Sequence, residues 1–487
     1  MDSDFQNQGF NKASIIKGFI WKLSERCGVQ VVSFVVTIIL ARMLTPQDYG
    51  IVAIITVFIN ILNVFVDSGL GNALIQKQNV DNLDFSSVFY FNLLVCLLVY
   101  GALFVLADWI AKFYAIEFLT EYIRGLGFIL IISGVRNVQQ AYISRNMAFK
   151  KFFYANMSAT IVSGGLGIIG AYMGVGVWAL IIQQISSSFL GTLILWLVTR
   201  WRPDFVFSIS RLKSMLDYGW KLLVSALLDT GYMNLREIII GKMYSPADLA
   251  FYTQGAKFPT VIVNNIDASI NSVLVSAMSR EQNDKERLRN VLRKSIKLSS
   301  FLIWPMMMLL VVVSEPLVCV ILTDKWLPVV PYITVFCIVY AIYPLHTCNL
   351  SAIVSMGRTD LFLKLEIYKK IMGIIVLLPT VTLGPWWMAW GLVVAGVIST
   401  FINSYPNQKL LGYEYCKQVK DVLPSMSLAI ITGIIVYPLN MMIMSKEFAL
   451  VLMTIIYMFV YFSLGRLLRL EELSYITDVL KSLKIVK

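Results

Sequence analysis

The sequence predicts an all-α polytopic membrane protein with about 14 transmembrane helices: two six-helix lobes related by an internal repeat, plus two extra C-terminal helices. Of the 487 residues, 58% are hydrophobic and only 14% are charged, whereas a soluble domain is about half apolar and roughly a quarter charged. The apolar residues form continuous runs of the ~20 residues that a helix needs to cross a bilayer. A short stretch that follows the first run also recurs 200 residues later.

Fourteen apolar runs lie between the charge clusters. They are near residues 18–40, 49–75, 85–107, 119–142, 153–173, 176–198, 216–240, 248–276, 296–322, 329–354, 362–382, 386–408, 420–443 and 447–467. With the N-terminus inside, 27 of the 41 Lys and Arg residues fall in cytoplasmic segments and only 6 in outer segments. This bias agrees with the positive-inside rule. The sequence therefore predicts a multi-pass protein with both termini in the cytoplasm and only short outer loops.

The sequence contains no recognisable catalytic, metal or cofactor motif. The six cysteines are scattered singly, without the spacing of zinc ligands, and there is no P-loop, GxSxG or HExxH motif. The net charge of +12 is accounted for by the basic cytoplasmic loops, so it does not indicate nucleic-acid binding. We therefore expect a protein that is not an enzyme and that binds neither a metal, a cofactor nor nucleic acid.

An internal repeat divides the sequence into two similar halves. RMLTPQDYG (42–50) aligns with KMYSPADLA (242–250), and the alignment continues without a gap to place Asp67 over Asp267. Membrane transporters are often built from two such copies, with the substrate site between them. The predicted segments are an N-terminal lobe, a C-terminal lobe, and two additional helices with a cytoplasmic tail: 1–200, 201–410 and 411–487.

Polar side chains recur at helical spacing in four of the predicted spans. They are Lys22 and Arg26 in span 1, Asn60, Asn63 and Asp67 in span 2, Asp229 and Arg236 in span 7, and Lys257, Asn264 and Asp267 in span 8. Intervals of three, four or seven residues place each set on one face of its helix. A polar face cannot be turned to lipid, so we expect these helices to line a substrate cavity between the lobes.

Charged side chains inside membrane spans are costly and indicate a functional site by default. From their depth in the spans, Arg26 is expected to pair with Asp67, and Lys257 with Asp229. The candidates for ion coupling are four carboxylates: Glu25, Asp67, Asp229 and Asp267. The coupling ion, H⁺ or Na⁺, stays open. The same polar faces can instead be hydrogen-bonding contacts between helices.

Two other polar groups are weaker candidates. Arg136, Asn137, Gln139 and Gln140 lie near the inner end of span 4, where they would meet a sugar or a head group, or simply cap the span. His346, the only histidine, lies in span 10. We expect it to be packed and hydrogen-bonded, with a proton-carrying role as the alternative.

Three segments of the sequence carry a family resemblance. They are ILARMLTPQDYGIVAI (39–54), DSGLGNALIQKQ (67–78) and GKMYSPADLAFYTQGAKFP (241–259). With the fourteen-span pattern, they resemble the polysaccharide transport (Wzx-like) flippase family of the multidrug/oligosaccharidyl-lipid/polysaccharide exporter superfamily, in its colanic acid and teichuronic acid flippase-like branch. The resemblance covers nearly the whole chain and does not identify the sugar.

The resemblance implies a flippase that moves undecaprenyl-pyrophosphate-linked oligosaccharide repeat units across the bacterial inner membrane by alternating access of two lobes. Such a protein would serve the biosynthesis of a surface polysaccharide, namely O-antigen, capsule or exopolysaccharide. The implied partners are the lipid-linked oligosaccharide, a coupling ion and membrane lipids. Contacts with a polysaccharide polymerase or with glycosyltransferases are also possible.

Two other functions stay open from the sequence. An ion-coupled multidrug exporter of the same superfamily would be expected to have about twelve spans and acid-rich cavity walls, without the basic residues of the four polar faces. A membrane enzyme of polysaccharide polymerisation or ligation would need a sizeable outer loop with catalytic groups. The longest predicted outer loop, near residues 108–118, is short.

Overall fold

The computed structural model describes residues 12–67, 69–281 and 284–473. Within these ranges the regular elements are helices, and no strand occurs. The α-helices are α1 (Lys12–Met43), α2 (Pro46–Asp67), α3 (Leu70–Gln76), α4 (Asn82–Tyr114), α5 (Leu119–Gly127), α6 (Ile129–Arg145), α7 (Phe149–Tyr172), α8 (Val177–Val198), α9 (Ile209–Met243), α10 (Pro246–Arg280), α11 (Lys285–Ile321), α12 (Val330–Ala341), α13 (Tyr343–Ser355), α14 (Thr359–Thr380), α15 (Pro385–Leu411), α16 (Tyr415–Val436), α17 (Leu439–Met442) and α18 (Lys446–Leu467). The predicted all-α class is confirmed.

In the described ranges, ten segments are long and apolar enough to cross a membrane. They are Ser24–Met43, Pro46–Gln76, Asn82–Tyr114, Phe149–Tyr172, Val177–Val198, Lys285–Ile321, Asp324–Ser355, Pro385–Leu411, Tyr415–Met442 and Lys446–Leu467. The chain is therefore a multi-pass membrane protein.

The other four predicted spans coincide with α9, α10 and α14 and with the pair α5 and α6. Helices α9 and α10 have 35 residues each, about 52 Å at 1.5 Å per residue, which is long enough to cross a bilayer. Helix α14 carries several charged residues, and the fourth predicted span is divided at Phe128 into α5 and α6. Membrane crossing by these four stays a prediction.

The chain packs as two compact units that meet in sequence between Ala250 and Phe251. In the first unit, α1 packs on α7, α7 on α8, and α4 on α5 and α6. Helix α9, which the repeat assigns to the second lobe, packs on α2, α3 and α4. The packing boundary therefore follows α9, whereas the lobe boundary at residue 200 stays a prediction from sequence symmetry.

In the second unit, α11 is the central helix and contacts α12, α13, α15, α16 and α18. The two helices beyond the repeat, α16 and α18, help to form its apolar core. Tyr457 and Tyr461 of α18 are buried there, and the Tyr461 hydroxyl donates to the carbonyl oxygen of Phe301 at 3.2 Å. The predicted additional helices are thus integral to this unit.

Helices α2 and α10 begin with the same capping arrangement, 200 residues apart. The Thr45 hydroxyl donates to Asp48 Oδ2 at 2.7 Å, and the Asp48 amide donates back to the Thr45 hydroxyl. Ser245 and Asp248 repeat both bonds, at 2.6 and 3.1 Å. In both helices a proline occupies the first position, where its missing N–H costs nothing. The repeated letters of the sequence therefore encode a repeated helix start.

These two helix starts also touch. A Cβ atom built on Gly50 of α2 would lie 1.7 Å from the carbonyl oxygen of Pro246. Only glycine allows this approach, because the neighbour is backbone and cannot turn away.

Candidate substrate-binding site

The helical conformation is interrupted between α2 and α3. Helix α2 ends at Asp67, and Gly69 adopts a φ of 70°, in the left-handed region that favours glycine. Leu70 and Leu74 then anchor α3, because both are fully buried in an apolar cluster that includes Phe85. The interruption leaves the Asp67 carboxylate at a helix end.

A cavity of about 490 Å³ lies within the first unit, between the end of α2, α3, α6 and α9. This volume is in the range of small-molecule pockets, roughly 300–1,000 Å³. Its polar side chains are Asp67, Asn72, Asn137, Gln140, Ser144 and Thr230. Its larger apolar side chains are Val64, Ile75 and Leu223. The cavity thus combines Asp67 of the predicted α2 face with two members of the weaker cluster on α6.

Asn137 of α6 connects its side of the cavity to the end of α2. Its Nδ2 lies 3.4 Å from Asp67 Oδ1 and 3.4 Å from the carbonyl oxygen of Val66. A Cβ on Gly71 would lie 2.9 Å from Asn137 Oδ1, so glycine leaves room for the amide. Both bonds are beyond the usual 2.7–3.2 Å range and therefore weak. Asp67 accepts no other hydrogen bond from a described residue, so its carboxylate retains acceptor capacity.

The wall formed by α3 is held firmly in place. The Arg145 guanidinium donates to the carbonyl oxygens of Leu74, Lys77 and Gln78 at 2.9, 2.6 and 2.7 Å, which caps the C-terminus of α3. Lys77 Nζ lies 2.8 Å from both carboxylate oxygens of Asp84, whose side chain is fully buried. From the sequence, Lys77 and Arg145 entered only the count of basic residues that predicts topology.

Glu25 of α1 belongs to a bridge of three polar side chains. Its Oε1 accepts from Asn156 Nδ2 at 2.6 Å, and Asn156 Oδ1 accepts from an Arg136 terminal nitrogen at 2.7 Å. The bridge joins α1, α7 and α6, and the buried Arg136 Nε makes no hydrogen bond with the described residues. Glu25 therefore has a structural contact, and its role in ion coupling stays a prediction.

The predicted ion pair between Arg26 and Asp67 is wrong. Arg26 is exposed and forms no ion pair with a described residue, while Asp67 contacts Asn137. Depth along a span fixes height but not the neighbouring helix: α1 packs mainly on α7, and α2 on α9. Lys22, one turn earlier, is also exposed and lies 5.5 Å from the centre of the Phe149 ring.

Arg236 of α9 is a buried cation with unused donors. Its side chain is 4% exposed, and its Nε and one terminal nitrogen make no hydrogen bond with the described residues. Its guanidinium carbon lies 5.7 Å from the centre of the Tyr232 ring. Leaving buried charged donors unpaired is costly, so this guanidinium is suited to an anionic group. Asp229, two turns earlier, is exposed.

The other predicted cavity residues lie on two helices. On α2, Asn60 is exposed and Asn63 is half-buried, both on the face of α2 that carries Asp67. On α10, Lys257 and Asn264 are exposed and Asp267 is half-buried. Lys257 forms no ion pair with a residue of its own unit in the described ranges. Its predicted pairing with Asp229 stays a prediction, as does the cavity between the lobes.

The chain matches the model of a family described as "Polysaccharide biosynthesis protein" over residues 39–331, which is more than half of its length. The chain belongs to this family. The resemblance drawn from the three sequence segments is thereby confirmed.

Named proteins similar to this family member are transport and biosynthesis proteins of bacteria. The succinoglycan biosynthesis transport protein ExoT of Rhizobium meliloti (strain 1021) is 24% identical over 65% of this chain and 64% of its own length, just under two thirds. The teichuronic acid biosynthesis protein TuaB of Bacillus subtilis (strain 168) is 24% identical over 71% and 72%. The lipopolysaccharide biosynthesis protein WzxC of Escherichia coli (strain K12) is 20% identical over 83% of both chains.

Solved structures identify the fold of this family member. The lipid II flippase MurJ, in an inward closed conformation, matches with a TM-score of 0.75 at 13% identity, over 93% of this chain and 98% of MurJ. An inward-facing multidrug resistance MATE transporter of the MOP superfamily matches with a TM-score of 0.58 at 18% identity, over 80% and 98%. These similarities confirm the polytopic all-α fold.

The second unit of this family member contains a buried amide network that sequence reasoning missed. Asn407 Nδ2 donates to Asn349 Oδ1, and Asn349 Nδ2 donates to Gln418 Oε1, both at 2.7 Å. Single uncharged amides in three apolar spans gave only a weak signal in the sequence.

The expected hydrogen-bonded histidine is confirmed, since His346 Nδ1 lies 3.1 Å from Asn403 Nδ2.

Proposed function

We propose that the protein is a flippase for undecaprenyl-pyrophosphate-linked oligosaccharide repeat units in the bacterial inner membrane. It serves the biosynthesis of a surface polysaccharide, namely O-antigen, capsule or exopolysaccharide. The observation that carries this proposal is the polar cavity inside a unit of membrane-spanning helices. A head group of sugars and pyrophosphate cannot cross hydrocarbon, because each unsatisfied polar group there costs several kcal/mol. The names of ExoT and MurJ agree with such a role.

In the proposed mechanism, two lobes, residues 1–200 and 201–410, alternate in exposing the substrate to each side of the membrane. Buried Arg236 supplies donors for the pyrophosphate through charge-assisted hydrogen bonds. Since the sequence has no P-loop, an ion gradient or the substrate gradient drives transport. H⁺ and Na⁺ both fit the four candidate carboxylates: Glu25, Asp67, Asp229 and Asp267.

The direct test is transport in vesicles. Purified protein is reconstituted with undecaprenyl-pyrophosphate-linked repeat units, and head groups that reach the outer leaflet are cleaved by an impermeant glycosidase. We expect the cleavable fraction to rise beyond that of protein-free vesicles. Arg236→Gln should slow the rise about tenfold or more, because charged hydrogen bonds contribute about 1.5–3 kcal/mol.

Two outcomes would contradict the proposal. If wild-type vesicles expel cationic dyes but leave the lipid-linked sugars in their leaflet, the protein is a multidrug exporter. If the sugars are joined into longer chains without changing leaflet, it is a polymerising enzyme.

The proposed orientation places both termini in the cytoplasm. Two single cysteine variants report on opposite sides of the membrane. Glu117→Cys lies in the turn between α4 and α5, Asn146→Cys follows α6, and both positions are exposed. In a cysteine-free background, an impermeant maleimide should label the first in intact cells and the second only after permeabilisation. The reverse pattern would invert the topology.

A further inference from the structure

The cavity of the first unit is polar, yet no lysine, arginine or histidine lines it in the described part of the chain. Its polar groups are one carboxylate, three amides and two hydroxyls: Asp67; Asn72, Asn137 and Gln140; Ser144 and Thr230. The nearby guanidinium of Arg145 is occupied by the carbonyl oxygens at the end of α3. A pyrophosphate would therefore meet a carboxylate here and no described cation.

The lining is suited to a ligand that both donates and accepts hydrogen bonds. The Asp67 carboxylate is exposed and accepts one long bond, so it can accept from hydroxyl groups. Amide groups add donors and acceptors in fixed planes. Val64 and Leu223 provide apolar surface on the same cavity, against which the C–H face of a ring can pack.

We propose that this cavity binds an uncharged sugar ring of the lipid-linked head group and selects against a ring that carries a carboxylate. The inference rests on the proposed function, because it assumes that the transported head group is an oligosaccharide. An uncharged ring offers hydroxyl donors to Asp67. A uronic acid places a second carboxylate, which has only acceptors, beside Asp67, where the two negative charges repel. Asp67 thus determines which sugars the protein accepts.

The test measures protection of a cysteine in the cavity wall. Ser144→Cys is introduced in a cysteine-free background and reconstituted in phosphatidylcholine vesicles, and its labelling by permeant N-ethylmaleimide is timed. Three probes are compared: undecaprenyl pyrophosphate, undecaprenyl pyrophosphate glucose and undecaprenyl pyrophosphate glucuronate. Asn146→Cys, exposed two residues further along the chain and absent from the cavity lining, is the control for reagent access.

We expect the glucose lipid to slow labelling of Ser144→Cys about tenfold or more at saturation, and the lipid without sugar to leave the rate unchanged. The glucuronate lipid should need at least about a tenfold higher concentration for the same protection. Adding Asp67→Asn should bring the two sugar lipids to similar concentrations, since the like charge is removed. Labelling of Asn146→Cys should not respond to any probe.

Equal protection by all three lipids would overturn the inference, because the lipid or the pyrophosphate would then fill the cavity. Protection by both sugars without an effect of Asp67→Asn would overturn the selectivity. Movement of the glucose lipid across the vesicle membrane is measured in parallel. Transport without protection refutes this site but leaves the proposed flippase standing, whereas neither transport nor protection refutes both.

Discussion

A Gly50→Ala variant should lose most of its thermal stability and its activity. The added Cβ would lie 1.7 Å from the carbonyl oxygen of Pro246 and 2.2 Å from the carbonyl carbon, far inside van der Waals contact. Overpacking typically costs about 1–3 kcal/mol, and we expect the upper end or more here. The clashing atoms belong to the backbone at the start of α10, which the capping bonds of Ser245 and Asp248 hold.

The measurement is the midpoint of thermal unfolding of the detergent-solubilised protein, followed by the surface polysaccharide of cells that carry the variant. Gly165→Ala is a matched control, because Gly165 lies in α7 with open space around its missing side chain. Alanine there should be neutral or stabilise by about 0.5–1 kcal/mol. A normal unfolding midpoint for Gly50→Ala would mean that α2 and α10 do not approach as closely as the structure shows.

Much of the fold could be predicted from the sequence because its signals are local. Composition and run length indicate membrane helices, and the repeat of TPQD as SPAD 200 residues later corresponds to two equivalent helix starts in the structure. The interruption at Gly69 was not visible, since the apolar run at 49–75 continues across it. Helix α3 was therefore merged into span 2, although it forms one wall of the cavity.

Only individual residues of the candidate site could be predicted from the sequence. Periodicity placed Asp67 on a polar face, and clustering singled out Asn137, but neither showed that the two side chains meet. Which helices are neighbours is decided by packing across many residues, as the failure of the Arg26–Asp67 pair shows. The assignment of α9 to the first unit is a second example, because its sequence symmetry points to the other lobe.

Lys257→Ala should reduce surface polysaccharide about tenfold or more while the protein reaches the membrane at normal abundance. Lys257 is exposed and forms no ion pair with a described residue of its own unit, so its loss removes little packing. If it meets the anionic head group, a charge-assisted interaction of about 1.5–3 kcal/mol is lost, which is a factor of ten or more in rate. Lys257→Arg retains the charge and should keep much of the activity. Lys294→Ala, at an exposed lysine of α11 that likewise forms no ion pair with a described residue, is the matched control.

The leaflet in which the lipid-linked units accumulate decides what a loss of surface polysaccharide means. If Lys257 acts in transport, undecaprenyl-pyrophosphate-linked units should accumulate in the cytoplasmic leaflet, out of reach of an impermeant glycosidase added to spheroplasts. If the residue instead contacts a polymerase, the units should cross and accumulate in the outer leaflet, where the enzyme cleaves them. Normal surface polysaccharide in a well-expressed Lys257→Ala strain would assign the polar face of α10 to contacts between helices, because a cation required by the substrate cannot be removed without slowing its passage.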